Sequence, residues 1–101
     1  MTTEEVIERG LAASSLLSNP TFQSVVRSIG VECFAAFTET KPSEADKREH
    51  TYNLYQGLKA IEAELNARIQ AQEEAVKALD AQLEDQDETE GPIFIQGNTD
   101  Q

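Results

Sequence analysis

Apolar positions recur at helical spacing along most of the chain, in three blocks parted by two short polar breaks. In the first block Val6, Ile7, Leu11, Ala13, Leu16 and Leu17 follow the period of one helix face. Thr2 or Thr3 can cap this helix, and Glu4 and Glu5 sit where the positive end of the helix dipole favours acids. Gly10 weakens its middle by about 1 kcal/mol relative to Ala. The break SNPTFQ offers Asn19 as an N-cap and Pro20 at the first helical position, where a missing N–H costs nothing. In the second block Phe22, Val26, Ile29, Cys33 and Phe37 are separated by 4, 3, 4 and 4 residues, with Val25 and Phe34 widening the stripe. Helices over about 3–17 and 20–38 are predicted.

The second break, TETKPSEAD, contains Pro42, which disfavours helical geometry at Lys41. Ser43 and Asp46 have capping-box spacing. From there Gly57 is the only Gly, and no Pro occurs, until Gly91-Pro92, so one helix is expected over about 44–84. Its apolar ladder reads Leu54, Leu58, Ile61, Leu65, Ile69, Gln72, Val76, Leu79, Leu83, with an interval of eleven from Leu54 to Leu65 and again to Val76. An eleven-residue period makes a nearly straight stripe. Glu44–Arg48, Glu64–Arg68 and Glu73–Lys77 are acid-before-base pairs that support an exposed helix.

The two halves of this helix differ. Tyr52, Tyr55, Leu58, Ile61 and Leu65 are bulky enough to close over the two short helices, and Phe22, Val26, Ile29, Phe34, Phe37, Tyr55, Leu58 and Ile61 are the expected core. Beyond Ile69 the helix turns Ala-rich. If the short helices fold back as a hairpin, they cannot cover its whole length. The fold class expected is therefore all-α: two short helices packed on the first half of one long projecting helix, with a flexible acidic C-terminal tail. Ile69, Val76, Leu79 and Leu83 then form either core pressed on the first helix or a seam for self-association, and a second copy is the cheapest cover.

Residues 1–83 make the expected helical domain. Residues 84–101 make an acidic linker, EDQDETE, followed by the apolar triplet Ile93, Phe94 and Ile95. Acids at a helix C-terminus oppose the dipole, and the triplet can alternate as in a short strand. It is read as either a disordered chain end or a docking peptide for a partner.

Composition narrows the function. At 101 residues with six aromatics the chain can build only a thin core. A net charge of -11 disfavours nucleic acid, whose affinity comes largely from Lys and Arg. The single Cys33 fits a reducing compartment, the N-terminus does not read as a secretory signal, and no stretch reaches membrane-spanning length. His50 has no evident nucleophile or orienting group, and reads as a surface residue. Cys33 lies on the apolar stripe and reads as core. The carboxylates follow no metal-binding pattern and the five Gly residues form no phosphate loop. No catalytic, cofactor-binding or metal residue is expected, and the chain does not read as an enzyme.

Asn19-Pro20 before Phe22-Gln23, the start around Arg48-Glu49, and Leu58-x-x-Ile61-Glu62-x-x-Leu65 together resemble a group of short helical proteins of tailed bacteriophages, encoded near capsid and DNA-packaging genes. The likeness covers roughly residues 16 to 70. It implies a virion component or assembly factor, found in the virion or the host cytoplasm. Taken with the seam and the tail, the expected reading is a homo-oligomer whose C-terminal segment holds a capsid, portal or neck protein. Two alternatives are a small-terminase-like packaging factor, which needs a basic face, and an acidic inhibitor or antitoxin-like protein, which needs a basic target.

Overall fold

The structure is a computed structural model that describes residues 1–85 in full and the backbone of residues 86–99. Three helices make it up: α1 (Thr3–Leu17), α2 (Pro20–Glu39) and α3 (Ala45–Thr99). Residues 86–90 of the acidic linker and the triplet Ile93, Phe94 and Ile95 lie outside the residues whose side chains are described.

Local chemistry sets the helix starts. The Thr2 side chain accepts from Glu5 N–H at 3.1 Å, and the Glu5 carboxylate accepts from Thr2 N–H at 3.2 Å, a reciprocal capping box. Those bonds hold the Glu5 carboxyl below its ordinary pKa, the backbone bond contributing most. Asn19 Oδ1 accepts from Phe22 N–H at 3.0 Å, directly before Pro20. The start of α3 departs from the expected Ser43 cap. Glu44 stands just before the helix, and its carboxylate accepts from Lys41 N–H, in the preceding turn, at 2.8 Å and from Lys47 Nζ at 2.6 Å. The Lys47 bond, then the Lys41 bond, lowers the Glu44 pKa. Arg48 does not pair with Glu44 as expected; it donates to the Lys41 carbonyl at 2.7 Å and so ties the turn to the helix.

The short helices pack on the long one, but they lie end to end rather than side by side. Leu79 lies beside Thr3, Glu4 and Ile7, and Gly10 faces Arg68 and Gln72. Further along, Phe22 and Val26 lie beside Glu62, Cys33 and Phe37 beside Tyr55, and Ala36 beside Thr51. Both short helices therefore run antiparallel to α3, in series, with contact between α1 and α2 confined to their junction. The hairpin considered from length alone does not form, because the break at Ser18–Asn19 bends the chain without reversing it. As a result α1 reaches over the part of α3 that was expected to project.

A layer only two helices thick leaves little interior. Ala13 and Cys33 are the buried apolar residues among those described, each 3% exposed, and Thr51 is the buried polar one. Three residues expected in the core are exposed instead: Phe34, Ile61 and, less so, Tyr55. Each lies on the apolar arc of its helix, but that arc is wider than one partner helix can cover. The radius of gyration is 24.2 Å, against about 13 Å for a compact domain of roughly 100 residues.

Candidate functional site

Both α2 and α3 present an inward row. On α2 it is Phe22, Val26, Ile29, Cys33 and Phe37, all half-buried or buried. On α3 it is Thr51, Leu58, Glu62 and Leu65, followed under α1 by Arg68, Ile69, Gln72 and Ala75. Polar side chains occupy several of these positions. The apolar ladder and the inward row therefore coincide only in part: Leu54 and Ile61 belong to the ladder but stand to one side of the row.

Those offset residues create the surface of interest. Phe34 is 70% exposed, Leu54 55% and Ile61 54%. On one flank of the α2–α3 pair, Phe34 and Phe37 border a notch floored by Gly30 and Cys33 and closed by Tyr55. Lys59 Nζ sits 6.0 Å from the Tyr55 ring centroid, a cation–π contact at the rim. On the other flank Ala36 and Glu39 face Lys47, His50 and Thr51. Steps of three and four along each helix continue these rows to Val25 and Ile29 on α2 and to Leu54, Gly57 and Ile61 on α3. A side chain built on Gly57 would meet nothing within 4 Å; nor would one on Gly30.

Under α1 the geometry is different. A Cβ on Gly10 would lie 2.8 Å from the Arg68 carbonyl oxygen and collide with the Gln72 side chain. Gly10, with buried Ala13 one turn on, thus lets the two backbones approach closely. Arg68 also pairs with Glu64 at 3.1 Å, as the sequence spacing predicts, whereas Glu73 and Lys77 form no ion pair among the described residues.

The residues expected in the seam are placed as follows. Ile69 is half-buried under α1, while Val76, Leu79 and Leu83 remain 37%, 41% and 57% exposed. His50 is exposed and Cys33 is buried as a free thiol. Among the described residues there is no group of three His, Cys, Asp or Glu placed to hold a metal ion, and no helix long and apolar enough to cross a membrane. The sequence reading missed the sidedness of Leu54 and Ile61; the polar residues Thr51, seven before Leu58, and Glu62, four after Leu58 and three before Leu65, are the signal that could have found it.

Charge sharpens the contrast. Between Thr51 and Ile61 the only charged residue is Lys59, and α2 carries only Arg27, Glu32 and Glu39. At the chain-wide share of 27% charged residues, about three would stand in the first stretch and five in the second. Phe34, Leu54, Tyr55 and Ile61 all stand in these charge-poor stretches. Compared with protein families, curated proteins and solved structures, the chain matches none of them, so a functional reading rests on this geometry and on the sequence.

Proposed function

We propose that the chain is a non-enzymatic structural or assembly protein that self-associates through its helices. The observation that carries this reading is the exposure of Phe34, Leu54 and Ile61 on a molecule whose fully buried apolar residues are so few. The outward edges of Val76, Leu79 and Leu83 extend the surface available to the same assembly.

The likeness to tailed-phage proteins supports placing that assembly in a virion or in its formation in the host cytoplasm. Ile93, Phe94 and Ile95, set behind an acidic linker, are then the segment that holds a capsid, portal or neck protein. Two measurements test this. The mass of the purified chain by light scattering should rise with concentration; a constant monomer mass refutes self-association. Deleting residues 91–101 should abolish capture of the particle protein; capture that persists removes the tail from the mechanism.

A further inference from the structure

Of the three glycines at fully described positions, one has a visible reason within its own chain. Gly10 sits where a side chain would strike α3. Gly57 sits inside α3, three turns from its start, with open space around it, where Gly weakens a helix and a side chain would fit the isolated chain. On its two sides along the same row stand exposed Leu54, three residues before, and exposed Ile61, four residues after. The row thus reads large, small, large, and is close to self-complementary about Gly57 when one copy is turned end for end.

We infer that two copies of the chain meet by an isologous antiparallel crossing of α3 on α3, centred on Gly57, with Leu54 of each copy against Ile61 of the other. A two-fold contact requires that residue pairing to be reciprocal, and the order of the three positions supplies it. The absent side chain at Gly57 lets the backbones come close at the crossing point. The inference rests on the self-association reading and names its contact.

Charge selects a second copy as the occupant. Two chains of net charge -11 repel each other over most of their surfaces. From Thr51 to Ile61 the only charge is Lys59, so this stretch lets two copies touch without opposing like-charged acids. A basic partner would instead gain most on the acidic surfaces elsewhere.

The test is sedimentation equilibrium of the full chain at low and high salt, for the native sequence, Gly57→Leu and Ile61→Glu. A native dimer that tightens with salt is expected, because screening removes repulsion and leaves apolar contact. Both substitutions should weaken it at least tenfold, while circular dichroism shows helix content at or above the native level for Gly57→Leu. With Cys33→Ala in the background, Gly57→Cys should oxidise to a covalent dimer. A dimer unchanged by either substitution overturns the crossing and leaves self-association standing. A chain that stays monomeric at every concentration overturns both. A dimer that loosens as salt rises is held by charge, which also overturns the crossing.

Discussion

The two ends of the two-helix layer solve the same packing problem in opposite ways. Under α1, small residues do the work: Gly10 and Ala13 bring the backbones together, and the facing positions Arg68 and Gln72 are polar with long stems. Under α2 the side chains are large, and Phe34, Tyr55, Leu54 and Ile61 spill out on both flanks. Close approach serves the contact line itself, while Leu11 and Leu16 on α1 and Val76, Leu79 and Leu83 on α3 stand partly exposed beside it. Bulk suits a third layer, since an apolar arc wider than one helix needs two neighbours to cover it. The α1 end is thus the closer backbone contact, and the α2 end the bulkier one.

The sharpest way to break this comparison is at the glycines. Gly10→Ala should destabilise the monomer by about 1–3 kcal/mol, the usual penalty of overpacking, because the Arg68 carbonyl is backbone and cannot yield cheaply. Gly57→Ala should instead stabilise the dilute chain by up to about 1 kcal/mol through helix propensity. Thermal unfolding followed by circular dichroism at low concentration reads both. Equal shifts of the same sign would erase the distinction between the two ends.

A smaller effect is expected where the ends join. Asn19→Ala removes the cap on Phe22 N–H and should cost about 1 kcal/mol, read as a lower midpoint in urea unfolding. Because Asn19 sits between α1 and α2, hydrogen exchange should show faster exchange in the first turn of α2 while amides near Cys33 keep their protection. Uniformly faster exchange across α2 would mean that the two ends are one cooperative unit.

The smallest effect is in acid. Glu5 opens the α1 end and Glu44 the turn before α3, and both carboxyls titrate below the ordinary Glu value of 4.5 through hydrogen bonds in the fold. A depressed folded pKa contributes stability that is full above the unfolded value and is lost as pH falls through the folded one. Below about pH 4.5 both helix starts should therefore fray. Carbon-detected titration of the side-chain carboxyls should give midpoints below 4.5 at both residues; ordinary midpoints at both would show that the caps do not persist in solution.

Local features of the fold were legible in the sequence, and long-range ones were less so. The starts at Thr2 and Asn19 followed from residues within four positions of each other, which is the reach of a cap. The burial of Cys33 followed from its place on the α2 stripe. The exposure of Phe34 and Ile61 did not, since periodicity tells which face is apolar and says nothing of how many neighbours cover it. The ladder through Leu54 and Ile61 counted apolar residues alone and so overlooked Thr51 and Glu62, polar side chains that face inward. Gly10 looked like a defect because its reason, the Gln72 side chain, lies 62 residues away. The seam at Ile69, Val76, Leu79 and Leu83 was argued from helix lengths, and the series arrangement of α1 and α2 changes what those lengths imply.

That arrangement also sets an order of assembly. The chain doubles back once, at the turn held by Arg48 and Glu44, so contacts close outward from it like a zip. Cys33 reaches Tyr55 across 22 residues of chain, and Gly10 reaches Gln72 across 62. Loop closure makes the second pairing dearer by about 1 kcal/mol on length alone. The amino-terminal helix therefore closes the longer loop, and its close backbone approach to α3 at Gly10 is what offsets that extra cost.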